Sequence, residues 1–498
     1  MKRILHIVST FAAVMLVSCN RESFNPAQEE ILVFSASWGE EAVSKSMIDP
    51  SDSTKVLWSP DEYFRVYSGS MSGIFYSMNA IPERQIEIRG GLAPMNGATT
   101  GSVGPRYWAV YPDTMAGGFK NDNSVVINVS SRQQGADSTF ANHLAPAIAV
   151  SKDFHFTFYN VCGGIRFTVS EPGIQVVKIS SVNGEPLAGS VTVEMVNDRP
   201  SIKLPVQNGK NYVILTAPEG GFVPGVPYYA IVLPGTLSKG IAFSFVKSGS
   251  SALSFVNQSL TVQRARIGVL NKIDDGHWKT NISSPQWVDL GFGSVLWADC
   301  NLGASRAEQF GNYYAWGETE TKNEYTWENY KFALNENEFT KYVTADRYGT
   351  IDNKINLEAE DDAVTVALGD GCRIPTEEEW RSLIYQCTVT RENLLGIAGL
   401  RFTSNVSGYQ DKSIFLPITG NWMSYTPAYI EDGENPQDVF DEEEAFYSMS
   451  RIGWGGDNYA GSVHIYRPTS ADKLYVDGYR FRHLRFSIRP VKNKNTTI

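Results

Sequence analysis

Cysteine and histidine are scarce in this chain, basic charge is in deficit, and no apolar run is long enough to cross a bilayer. The 498 residues include five cysteines and six histidines. Four cysteines (Cys162, Cys300, Cys372, Cys387) lie beyond the N-terminal segment. Export permits disulfides, but so few cannot form the main framework of so long a chain. The histidines (His6, His143, His155, His277, His464, His483) do not cluster at metal-ligand spacing. Lys and Arg number 43 against 54 Asp and Glu, a net charge of −11, which argues against nucleic acid because its binding needs a basic face. The chain has no Gly-x-Ser-x-Gly, His-Glu-x-x-His or Cys-x-x-Cys motif and no phosphate-cradling loop. These absences favour binding or assembly over catalysis.

What is present begins with an export signal. Met1-Lys2-Arg3 is a basic n-region, and Ile4 to Val17 is apolar except for His6, Ser9 and Thr10. A span needs about 20 apolar residues, so this stretch reads as the h-region of a secretory signal. It ends in Leu16-Val17-Ser18-Cys19, which looks like a lipobox. Cys19 is then the expected lipidation site and the start of the exported chain. Several acyl chains on one cysteine anchor firmly, at about 0.8 kcal/mol per buried CH₂. The expected location is the outer membrane, surface-exposed and lipid-anchored, with a pilus as a further destination.

Residues 1–19 are thus signal and 20–30 a tether. From there to Ile273 the pattern is β. Phe154, Phe156 and Phe158 alternate with polar neighbours, and Ile165, Phe167 and Val169 do so after Gly163-Gly164, read as a turn. Val182-Asn183-Gly184-Glu185 is a hairpin cue. Many short strands imply sandwiches, two at this length, assigned to 31–150 and 151–273. Polar residues 274–286 read as a linker. The aromatic-rich part 287–492 follows, with a tail at 493–498.

That last part holds the one clear helix. Thr376-Glu377-Glu378-Glu379 is a capping box, with Pro375 placed to staple onto Trp380. Trp380, Leu383, Ile384 and Cys387 then form one buried stripe. Glu377 and Glu378 suit the helix dipole and are poor catalytic candidates. Cys372 and Cys387 flank this helix, over about 10 Å apart at 1.5 Å per residue, beyond disulfide reach. A bridge here would use Cys300, with Cys387 as candidate partner; four free thiols is the competing expectation.

The β region resembles the fimbrillin-like (FimA/Mfa-type) pilus proteins. The matching segments are 58–67 (Trp58-Ser59-Pro60-Asp61-Glu62-Tyr63 onward), Tyr107-Trp108-Ala109-Val110-Tyr111-Pro112, and 158–167, where Asn160-Val161-Cys162-Gly163 is distinctive. The resemblance implies two transthyretin-like β-sandwiches, a role in pili or surface adhesion, and assembly by strand exchange after trimming beyond an Arg; no trimming site is identified. The C-terminal part resembles the Fibrobacter succinogenes major paralogous domain. Its matches include Leu296-Trp297-Ala298-Asp299-Cys300-Asn301-Leu302-Gly303, Gly311-Asn312-Tyr313-Tyr314-Ala315-Trp316-Gly317-Glu318, Arg373-Ile374-Pro375-Thr376-Glu377 and Ser487-Ile488-Arg489-Pro490-Val491. Cys372 departs from that pattern, where an aromatic is usual. Arg373 to Trp380 is also similar to formylglycine-generating enzymes, which implies an α+β C-type-lectin-like domain by analogy of fold only. The expected fold is therefore mainly β: two sandwiches followed by this lectin-like module.

Ligand candidates sit in Trp454-Gly455-Gly456-Asp457-Asn458-Tyr459. The oxygens of Asp457 and Asn458 suit calcium or sugar hydroxyls, and Trp454 and Tyr459 suit a sugar ring. The competing reading is a plain turn before the strand Ser462 to Tyr466. Eight acids between Glu431 and Glu444 read as a solvated loop with a cation site as the alternative. Tyr313, Tyr314, Trp316, Tyr325, Trp327 and Tyr330 read as core before glycan platform. No cofactor is implied beyond calcium. The function expected is a surface adhesin or accessory, tip-like pilus subunit, with other pilus subunits or surface glycans and proteins as partners and no nucleic acid. The alternative is a non-polymerising glycan-capture lipoprotein of a nutrient-uptake system.

Overall fold

The computed structural model describes residues 31–39, 47–49, 52–121, 123–141, 143–278, 284–423, 439–441, 443–466 and 474–494. The fold is mainly β, as expected. Its first unit, however, is a closed barrel and not a sandwich. Around it run Tyr63–Ser68, Tyr107–Tyr111, Ala147–Ser151, His155–Asn160, Leu32–Trp38, Gln85–Gly90 and Met71–Ser77, and the last of these pairs back onto the first. Closure removes the free sheet edges that otherwise invite unwanted pairing. Inside lie Phe34, Phe64, Phe75, Phe156, Phe158 and Trp58, with Trp38 stacked on Trp58 at 4.2 Å between centroids.

The expected division at residue 150 is also corrected. His155–Asn160 pairs in parallel with Leu32–Trp38 and antiparallel with Ala147–Ser151, so it completes the first unit. Conversely, Ser124–Val129 pairs with Ala188–Val196, and Arg132–Ala136 with Tyr212–Thr216, both in the second unit. The chain thus leaves the barrel, contributes strands to its neighbour and returns. Strand alternation states which face is buried but not which partner lies beside it, which is why the boundary was misplaced. The unbroken apolar run Tyr107–Tyr111 reflects the same interlacing. Ala109 and Tyr111 face the barrel core, while Trp108 and Val110 join the core of the second unit.

In the second unit the turn expected at Asn183-Gly184 exists, with Gly184 at φ +88°, but it makes no hairpin. Val176–Ser181 before it pairs with Tyr212–Thr216 and Ile241–Val246, whereas Ala188–Val196 after it lies in another sheet. Gly163 and Gly164 are not a turn either: they open the strand Gly163–Phe167. A Cβ on Gly163 would lie 2.4 Å from the Gln263 carbonyl oxygen, so close backbone approach requires glycine there. The segment taken as a polar linker starts as part of the packed unit. Asp274 is fully buried and accepts hydrogen bonds from Ser170 N (2.6 Å), Glu171 N (3.2 Å) and Trp278 Nε1 (2.9 Å).

The C-terminal module contains a four-stranded sheet in the order Trp287–Val288, Val295–Ala298, Val491–Asn493, Cys372–Arg373. A five-stranded sheet runs Tyr313–Tyr314, Phe486–Ser487, Glu444–Ile452, Tyr459–Tyr466, Leu474–Phe481. A three-stranded meander, Cys387–Leu394 to Ser413–Pro417, completes it. Two helices join these sheets: α1 (Ala363–Leu368), capped by Asp362, and α2 (Glu377–Gln386), with the expected Thr376/Glu379 capping box. The residues read as a tail begin inside the module: Asn493 closes a strand, and Lys494 Nζ reaches Asp289 at 2.9 Å. None of the described helices is long and apolar enough to cross a membrane.

The module docks on the second unit through a shared apolar cluster, in which Tyr212, Ile214 and Leu253 meet Phe310, Tyr313 and Ile397. Hydrogen bonds from Ser251 Oγ to Gly311 O (3.0 Å) and from Tyr313 N to Gly249 O (3.1 Å) lock the register.

The interlacing predicts that residues 31–150 cannot fold alone, because the barrel lacks His155–Asn160 and the strands at 124–136 lose their partners at 188–196 and 212–216. Residues 31–278 should unfold in one cooperative transition. Circular dichroism of the two fragments checks this, and a stably folded 31–150 fragment would contradict the topology.

Candidate ligand-binding surface

The segment singled out by sequence, Trp454–Tyr459, lies between two adjacent antiparallel strands and is closed by Gly453 N to Tyr459 O (2.9 Å) and Tyr459 N to Gly456 O (3.0 Å). Gly456 has φ +141°, and a Cβ there would come within 2.6 Å of the Tyr348 hydroxyl, so the bend requires glycine.

Asp457 is 2% exposed. Its carboxylate accepts from Thr344 N (2.6 Å), Thr344 Oγ1 (2.6 Å) and Ala345 N (3.1 Å). Its backbone carbonyl accepts from Arg482 Nη1 at 2.6 Å. The group expected to meet calcium therefore ties two loops of its own module together. Asn458 lies behind it with Oδ1 buried and unpartnered, and Tyr459 stacks on Phe481 at 4.8 Å.

Trp454 differs from its neighbours. It is 65% exposed, yet its indole is fixed at two points. Nε1 donates to Glu377 Oε2 at 3.3 Å, and the Arg451 guanidinium lies 3.8 Å from the ring centroid. Glu377, the first residue of α2, also receives Arg381 Nε and Nη2 (3.0 and 2.8 Å) and Arg451 Nη1 (3.1 Å). Burial raises the Glu377 pKa, but hydrogen bonds from Arg381 and Trp454 and the charge of Arg451 outweigh it and hold the carboxyl below its ordinary range. Sequence reasoning explained Glu377 by the helix dipole alone and missed its role as the clamp beneath Trp454. The result is a rigid, solvent-facing aromatic ring flanked by arginine, an arrangement suited to the C–H face of a sugar.

The other candidates resolve differently. Tyr313, Tyr314, Trp316, Tyr325 and Tyr330 are core. Their polar atoms are satisfied internally, as in Tyr313 Oη to Thr419 O and Tyr330 Oη to Trp316 O, both 2.7 Å. Only Trp327 of that group is half-buried. Of the acidic run, residues 431–438 and Glu442 lie outside the described residues, and Glu443 pairs with Lys210 at 2.6 Å. Glu358, Glu360 and Asp361 converge as a cation cluster would. Lys341 Nζ fills that role itself, at 2.6, 2.9 and 2.6 Å from the three carboxylates. The Cys300–Cys387 bridge is not made. Cys162, Cys300, Cys372 and Cys387 are all free and buried, and burial pushes the thiols of Cys300 and Cys387 up to about 12. Cys300 Sγ turns onto the Ala304 carbonyl of its own loop at 3.3 Å, while Cys387 packs in the core beside Leu383. Cys19 lies outside the described residues.

No protein-family model matches the sequence, and no curated protein matches it. Among solved structures, a candidate cell adhesion protein from Bacteroides ovatus is 9% identical, with a TM-score of 0.30, over 49% of this chain and 93% of that one. The tip fimbrial protein Mfa3 from Porphyromonas gingivalis, truncated at its C-terminus, is 8% identical with a TM-score of 0.25, over 48% and 93%. A fimbrial protein from Bacteroides ovatus is 8% identical with a TM-score of 0.21, over 92% and 99%. Scores this low do not establish a shared fold.

Asp457→Ala should destabilise the protein by about 2–3 kcal/mol, since three donors lose a buried acceptor. Thermal unfolding of the variant, with and without calcium, checks this. An unchanged Tm with loss of a calcium-induced rise would return Asp457 to the role of ligand.

Proposed function

We propose that this chain is a lipid-anchored cell-surface adhesin or accessory, tip-like pilus subunit, non-catalytic, with a lectin-like C-terminal module that binds its ligand. The observation that carries the reading is the position of the strand Val491–Asn493. It is an inner strand of its sheet, held by Val295–Ala298 on one side and Cys372–Arg373 on the other. A strand held on both edges is not available to complete a neighbouring subunit, so the module would end a fibre rather than extend it. The closed barrel at the other end supports the same role, because it offers no open edge for casual pairing. Trp454 is the proposed contact with ligand, Asn458 and Tyr459 support its loop, and Asp457 positions it. Lipidation at Cys19 would tether the chain to the outer membrane.

Shearing fibres from producing cells and fractionating them tests this reading. The chain should co-purify with fibres in amounts far below the major subunit. A purely membrane-bound monomer would overturn the fibre role and favour a glycan-capture lipoprotein.

A further inference from the structure

A cleft of about 390 Å³ lies between the second unit and the C-terminal module. Gln175 and Ser248 line it from the second unit, and residues 323–328, Arg480 and residues 483–485 from the module. Next to the lining residues Ser248 and Asn323 the two backbones meet: a Cβ on Gly249 would lie 2.7 Å from Lys322 O. The cleft's size falls within the range of small-molecule sites, which also favour such junctions.

Three features of the lining point to a ligand. The first is His483, 9% exposed, whose Nδ1 has no hydrogen-bond partner while its ring lies against Trp327 at 4.1 Å. Burial, with Arg480 and Lys322 adding to it and Glu328 opposing, lowers its pKa to about 4. The ring is therefore neutral near pH 7 and suited to exchange a hydrogen bond with a hydroxyl. The second is Ser248, whose hydroxyl holds only long bonds, 3.3 Å to Gln175 Oε1 and 3.4 Å from Arg485 Nη2. Bonds of that length are at the weak limit and leave the group able to re-aim. The third is charge. Arg480 and Arg485 lie on the same wall, Arg485 4.9 Å from the Tyr325 ring centroid, with Glu324 and Glu328 also in the lining.

We propose that this cleft binds a sugar carrying a carboxylate, of uronic or sialic type. The acid is directed to Arg485, the hydroxyls to His483 Nδ1, Ser248 and Gln175, and the ring to Trp327. Guanidinium groups pair well with a carboxylate, and the two glutamates in the lining can accept from sugar hydroxyls. The proposal rests on the ligand-binding reading of the module but places this ligand at the inter-unit seam, apart from the Trp454 loop. Fibre fractionation decides the chain's role independently of it.

The test is calorimetric titration of the full exported chain, residue 20 onward, with N-acetylneuraminic acid, glucuronic acid and glucose. At least one acidic sugar should bind, with glucose weaker by about ten-fold, the scale of one charge-assisted hydrogen bond. Arg485→Gln should weaken the acidic sugar by a similar factor. Ser248→Ala should weaken it several-fold and guards against a folding defect in the arginine variant. No binding of either acid, equal binding of glucose, or undiminished affinity in both variants would overturn the proposal.

Discussion

The seam between the second β unit and the C-terminal module is the contact on which the rest of the architecture depends. Apolar side chains from both sides share one cluster there, Ile397 of the three-stranded meander among them. Gly396 beside it approaches so closely that a Cβ would lie 3.2 Å from that of Ala242. Contact this tight fixes the module's orientation, because packed interiors tolerate little displacement. The orientation in turn forms the cleft, which both units line. It also holds the module as a continuation of the β units, so that forces on either would pass through folded structure.

Within the module, order comes from buried guanidinium groups. Arg482 is fully buried, so its donors need partners within the module. They reach Tyr330 Oη (3.2 Å), Tyr342 O (3.2 Å), Asp457 O (2.6 Å) and Lys341 O (2.8 Å). One side chain thereby gathers three loops that have little regular structure of their own. Arg489, equally buried, ties two strands together, donating to Ala298 O at 3.1 Å and Phe415 O at 2.8 Å. The loops therefore present Trp454 as a rigid feature, which lowers the ordering cost of binding.

Local features of this fold were legible in the sequence and distant ones were not. The capping box of α2 lies within four residues, and it forms as read. Alternation at 154–158 placed Phe156 and Phe158 inward, although Phe154 is left exposed. Helix α1 was missed because six residues carry too little periodicity. Barrel closure escaped because it depends on pairing between Tyr63–Ser68 and strands distant in the chain. Asp457 had the composition of a ligand, and only its partner Thr344, 113 residues away, reveals its structural duty. The cleft was illegible for the same reason, since Gln175 and His483 meet only after the two units dock.

The central claim is that this chain terminates a surface fibre and displays a rigid binding module at its end. Immunogold electron microscopy of intact producing cells, using antibody against residues 287–492, tests it most directly. The account predicts gold at fibre ends; label along fibre shafts, or on the cell surface with fibres unlabelled, would contradict it.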